Sequence, residues 1–197
     1  MSKIMHFLLM LVSVNYIFAQ IPTAPSEGDG SEVNPFTISS LENLYWIAAD
    51  TANWKYCYVQ TENIDASGTA LWFTGDHDGI PGTPDIPMGW VPIGNEVKAF
   101  RGWYDGQKHS ITGLFINRPA YSFQGLFGSV ADSKIDSLFL LACSVSGSNY
   151  TAGLVGFNRN SFLTNCYVSG SVSGSGDVGG VVGNNANSRI TKCGSEA

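Results

Sequence analysis

The chain has 197 residues, enough for one domain with a sizeable core. Hydrophobic residues make up 44% and charged residues only 13%; with 23 glycines this excludes a disordered chain and favours short strands and tight turns over helices. The net charge of -6, from 10 basic and 16 acidic residues with no basic cluster, excludes the concentrated positive footprint that nucleic acid binding needs.

Residues 1–19 read as a signal peptide. Lys3 supplies the positive start, Phe7 to Phe18 is an almost unbroken apolar stretch, and Ala19 stands at the expected cleavage point. That stretch is short for a spanning helix and suited to an export signal. No later stretch is long enough to cross a bilayer as a helix. Residues 20–33, rich in Pro, Gly and acids, read as a linker.

Residues 34–123 are expected to hold an N-terminal cap and the first rungs of a stack. Asn34 to Ile38 is a short alternating strand. Ser39 and Glu42 have the spacing of a capping box, and Leu41, Leu44, Tyr45, Ile47 and Ala48 recur at helical spacing. One short amphipathic helix over 40–49 follows, a candidate for the cap that a solenoid needs. Further strands are expected at Tyr56–Gln60, Gly89–Gly94, Phe100–Gly106 and Ser110–Ile116, with a Gly-, Pro- and Asp-rich loop over 74–89.

Residues 124–197 contain the same unit three times, the last copy incomplete. The copies start at Gly125, Gly153 and Gly180, steps of 28 and 27 residues. Each opens Gly, apolar, apolar, Gly. An Asp or Asn follows (Asp132, Asn160, Asn187), then a serine (Ser133, Ser161, Ser188), then Ile135, Leu163 or Ile190, then Leu138, Cys166 or Cys193. A repeat of this length means an array whose units cannot bury their apolar faces alone. A propeller blade needs more residues, and a leucine-rich repeat needs more leucines. Ile135 and Leu138 are three apart, whereas strand alternation has period two, so an extra residue must bend the chain between them. The Asp/Asn slot suits a second corner, because these residues tolerate left-handed backbone. The expected fold is therefore all-β: a right-handed parallel β-helix with a short N-terminal capping helix. The third copy stops at Ala197, four residues past Cys193, so a longer parent protein is expected.

The four cysteines are Cys57, Cys143, Cys166 and Cys193. An even count in an exported chain permits disulfides. Cys166 and Cys193 occupy a slot that accepts Leu138, which marks an interior position and favours buried thiols.

The blocks Gln124 to Gly128, Ala152 to Gly156 and Gly179 to Gly183, each with its Ser-x-Ile/Leu slot, resemble the GLUG-motif repeats of bacterial exported proteins. The third block departs from the motif by carrying Val181 for Leu. The resemblance implies an exported, surface-associated β-helix of adhesin-like or multidomain proteins. It implies no catalytic residues.

Candidate chemistry is sparse. Asp76, Asp78 and Asp85 are the calcium candidates, since alternating carboxylates before Gly79 resemble the start of a calcium loop; Ile80-Pro81-Gly82 breaks the full pattern. No Cys-x-x-Cys spacing supports zinc. His109 has no identifiable catalytic partner. Ser133, Ser161 and Ser188 recur in every unit, as a nucleophile would not. The aromatics Trp72, Phe73, Trp90, Trp103, Tyr104 and Tyr121 precede the repeats, either as a platform for sugars or, preferably, as core of the first rungs. The functional expectation is a cell-surface structural or adhesive module that binds glycans or host and matrix proteins, without cofactor. The alternative is a polysaccharide lyase or glycoside hydrolase, which needs carboxylates converging on one face.

Overall fold

The computed structural model describes residues 20–72 and 86–197. The signal-peptide stretch 1–19 and the calcium candidates Asp76, Asp78 and Asp85 lie outside these residues, as does Phe73. In chain order the elements are β1 (Phe36–Ile38), α1 (Leu41–Ala49), β2 (Cys57–Gln60), β3 (Ile64–Asp65), β4 (Trp103–Asp105), β5 (Ser110–Thr112) and β6 (Phe115–Asn117). The repeats supply β7 (Phe127–Ala131), β8 (Lys134–Asp136), β9 (Phe139–Ser146), β10 (Asn149–Ala152), β11 (Val155–Arg159) and β12 (Phe162–Thr164). The chain continues with β13 (Tyr167–Ser173), β14 (Gly176–Gly179), β15 (Val182–Ala186), β16 (Arg189–Thr191) and β17 (Gly194–Glu196).

The strand ladders are parallel, and the fold is the parallel β-helix expected from the repeat. One sheet runs β1-β2-β4-β8-β12-β16, a second β3-β5-β9-β13-β17 with β6 also on β9, a third β7-β11-β15, and a fourth β10-β14. The sequence period is the pairing register. Phe127, Val155 and Val182 pair across rungs, as do Ile135, Leu163 and Ile190. Stacking places the apolar slots in columns inside the coil. Leu126, Leu154, Ile135, Leu163, Leu138 and Cys166 are all buried. On the outermost rung Val181, Val182 and Cys193 are only partly buried, and Ile190 is 40% exposed.

Three corners turn each rung, and each uses a residue in the left-handed region. Asp132, Asn160 and Asn187 have φ of 51°, 49° and 52°, as their slot predicts. The extra residue between the apolar pair is Ser137, Asn165 or Lys192, with φ of 52°, 55° and 54°. The third corner falls on Phe123, Tyr150 and Asp177. The second glycine of each motif is required by close stacking. A Cβ on Gly156 would strike the carbonyl oxygens of Tyr150 and Gly128, and one on Gly183 would lie 2.7 Å from that of Gly156. A single column of backbone thus contacts backbone, which only glycine permits.

The cap helix forms one residue away from its expected start. Ser40, not Ser39, is the N-cap, accepting the Asn43 N–H at 3.3 Å. Asn43 takes the reciprocal role expected of Glu42: its Oδ1 accepts the backbone N–H of Ser39 at 3.3 Å. Leu44, Ile47 and Ala48 enter the core beside the edge strand β1. Tyr45 packs edge-on against Trp72, with ring centroids 4.9 Å apart.

Two expected strands differ. Gly89–Gly94 makes only isolated bridges, at Gly89 and Ile93, because both glycines take positive φ and Pro92 has no N–H to donate. Ser110–Ile116 is broken into β5 and β6 at Gly113, whose φ is 77°. The irregular stretch before β4 is held by Arg118, a buried cation whose Nε donates to the Trp90 carbonyl at 3.0 Å.

Candidate functional site

The repeated polar side chains are engaged in holding rung to rung. Ser161 Oγ accepts the backbone N–H of Ser133 at 3.0 Å, and Ser188 Oγ accepts that of Ser161 at 2.9 Å. Each hydroxyl also donates, Ser161 to the Arg159 carbonyl at 2.7 Å and Ser188 to that of Ala186 at 3.0 Å. This is a structural ladder with no nucleophile geometry. Asn158, fully buried, donates to Asn185 Oδ1 at 2.7 Å in the same manner. His109 sits in the turn after β4, its N–H bonded to the Gly106 carbonyl at 2.8 Å.

The cysteines are free thiols. Cys57, Cys143 and Cys166 are buried and Cys193 is half-buried. Most of the aromatic cluster is core. Trp72, Trp90 and Tyr104 are buried, with the Trp90 indole N–H on the Leu126 carbonyl at 3.1 Å and the Tyr104 hydroxyl on Gln60 at 3.1 Å. Tyr121 is exposed. Trp103 is the exception that matters, because it lies on the outer face of the first sheet.

That face is set by strand alternation. Tyr58, Tyr104, Ile135, Leu163 and Ile190 pair in register and point inward. The neighbouring register line, Trp103, Lys134, Phe162 and Arg189, therefore points outward. Lys134 Nζ lies 5.4 Å from the centroid of the Trp103 ring and 3.3 Å from Asp136 Oδ2. Phe162 is 55% exposed, unusual for a ring on a rigid strand. A groove of about 750 Å³ runs over Trp103, Lys134 and Phe162, walled by Lys55, Arg101, Asp132 and Asn160. Arg101 is ion-paired with Asp132 at the corner.

Electrostatics at the second corner favour ionised Asp136. Burial works against its charge, but hydrogen bonds from Ser137, Asn165 and Lys134 outweigh that and hold the carboxyl below its ordinary range. The described residues contain no group of three or more His, Cys, Asp and Glu able to hold a metal. No helix among them is long and apolar enough to cross a membrane. The outward line escaped sequence reading because Trp103 belongs to no repeat copy. Its one available signal was strand parity counted back from Tyr104.

Known proteins resemble this chain in part. Over 155 residues, 76% of the chain, it is 33% identical to halomucin of Haloquadratum walsbyi. Over 133 residues, 66% of the chain, it is 26% identical to a Gly-rich membrane protein of Evansella cellulosilytica. The chain spans about 2% and 14% of the lengths of these relatives. No family model matches. A solved Bacteroides ovatus structure, named as an immunoglobulin A1 protease, aligns over 87% of this chain and 70% of its own at 13% identity. The TM-score of that alignment is 0.40.

Proposed function

We propose that this chain is a GLUG-type repeat module of an exported cell-surface protein, structural or adhesive in role, which presents its outer face to glycans or proteins. The observation that carries the reading is a division of labour. The serines that recur in every unit, Ser133, Ser161 and Ser188, and the Asn158–Asn185 pair of the last two units bond rung to rung. Facing outward on the first sheet are an exposed ring, Phe162, and the cations Lys134 and Arg189. The signal-like residues 1–19 and the relative named as a membrane protein support the surface location.

The test is binding of the purified protein to an array of glycans and matrix proteins, run alongside an assay for reducing ends released from polysaccharides. Binding without release is expected. Robust release that is abolished by replacing one acid overturns the reading in favour of a β-helix hydrolase or lyase.

A further inference from the structure

The outer face of the first sheet carries an ordered alternation. Reading across four adjacent strands, the register line runs Trp103, Lys134, Phe162, Arg189: ring, cation, ring, cation. Adjacent parallel strands lie about 4.8 Å apart, so the two rings, and likewise the two cations, stand about 9.6 Å apart. Phe162 is exposed between Lys134 and Arg189 on this face, while Leu163 beside it on the same strand is the residue that enters the core. Trp103 has a buried indole N–H with no partner among the described residues. Folding alone would favour Phe there, which lacks that unmet donor.

We propose that this line is a binding track for an anionic polysaccharide with one acidic group per disaccharide, laid along the solenoid axis. The inference rests on the reading of the chain as a binding module and names the ligand class. A β-linked pyranose chain advances by nearly one strand separation per sugar. Successive sugars therefore meet successive rungs, with alternate sugars over the Trp103 and Phe162 rings and the intervening acid groups at Lys134 and Arg189. An extended peptide repeats its same-face side chains about every 6.7 Å and falls out of step with the rungs. The cations are available. Arg189 makes no ion pair among the described residues. The Lys134–Asp136 pair is half-exposed on its lysine side, where such pairs are weak and exchange readily.

The experiment measures affinity of the purified protein for four probes: hyaluronan, a neutral β-glucan, polygalacturonate with an acid on every sugar, and polyglutamate. Hyaluronan should bind tightest, with affinity falling as salt rises. Phe162→Ala should weaken it about tenfold, the size of one lost ring contact. Lys134→Glu and Arg189→Glu should each weaken it more, while Lys108→Glu, outside the track, leaves it unchanged. All four changes are at exposed or half-exposed positions, and circular dichroism confirms that the variants fold. Equal or tighter binding to polyglutamate or the neutral glucan overturns the proposal, as does failure to bind hyaluronan. Hyaluronan binding that survives the Phe162 and Lys134 changes overturns the track but leaves the binding-module reading standing. Absence of any partner on the wider glycan and protein array removes that reading as well.

Discussion

The sulfur of Cys193 accepts the backbone N–H of Cys166 at 3.4 Å, one rung below it in the stack. The Cys166 thiol donates to the Thr164 carbonyl at 3.2 Å, and the contact between the two neighbouring thiols favours the proton on Cys166 over Cys193. That contact and the Cys166 N–H draw the Cys193 thiol below its ordinary range against the effect of burial. The same contact, together with burial, pushes Cys166 up. Cys57 and Cys143 are pushed up as well, chiefly by burial.

Iodoacetamide should therefore alkylate Cys193 first, at a rate that rises through a pH below that of a free thiol, since the thiolate is the nucleophile. Peptide mapping after brief labelling checks this. Cys193→Ala should leave the native protein with little fast labelling. Equal labelling of all four cysteines in the folded protein refutes it.

The glycine column gives a second prediction. Gly156 lies in β11 and is not among the glycines with positive φ, so replacing it tests chiefly packing. The added methyl of Gly156→Ala would meet the carbonyl oxygens of Tyr150 and Gly128. The rungs must separate locally, at a cost of about 1–3 kcal/mol. Gly68→Ala, whose Cβ meets nothing, should be close to neutral. Urea melts of the two variants make the comparison, and equal midpoints would show that the stack accommodates the methyl.

How far the fold could be read from the residues follows from this column. Gly128, Gly156 and Gly183 recur because backbone touches backbone there, and Asn160 and Asn187 recur because their corner needs left-handed φ. Each physical demand repeats with the period, so each leaves a mark in the sequence. The third corner left none, because Phe123 and Tyr150 adopt left-handed φ without being residues that favour it. Tertiary packing overrides preference there: the two rings lie 4.9 Å apart and both contact Phe157. The candidate site was less legible than the fold. Trp103 and Phe162 meet only through the register of strands far apart in sequence, and Trp103 lies in the stretch where spacing is irregular. Composition could say that aromatics cluster before the repeats; it could not say which one faces out.

The serine ladder predicts a gradient along the stack. Ser161→Ala removes the acceptor for the buried Ser133 N–H and should cost about 1–3 kcal/mol. Ser188→Ala removes the equivalent acceptor one rung further out, where burial is lower and water substitutes. Its cost should be the smaller of the two. Chemical denaturation of both variants decides, and the reverse order would mean that the hydroxyls do not act through these N–H groups.

The last prediction concerns acid. Asp136 is held below the ordinary carboxylate range by Ser137, Asn165 and Lys134, in spite of burial. A carboxyl depressed in the folded state stabilises the fold at pH above its unfolded value, and that contribution disappears as pH falls through the folded value. Asp136→Asn should thus be less stable than wild type near neutrality. The gap should narrow as pH drops below about 4, where the unfolded carboxyl protonates. Removing one donor, as in Asn165→Ala, should raise the Asp136 titration midpoint. Carboxyl chemical shifts followed through an acid titration read that midpoint directly. A stability gap that widens in acid would mean that ionised Asp136 opposes the fold, and that its hydrogen bonds fall short of its burial cost.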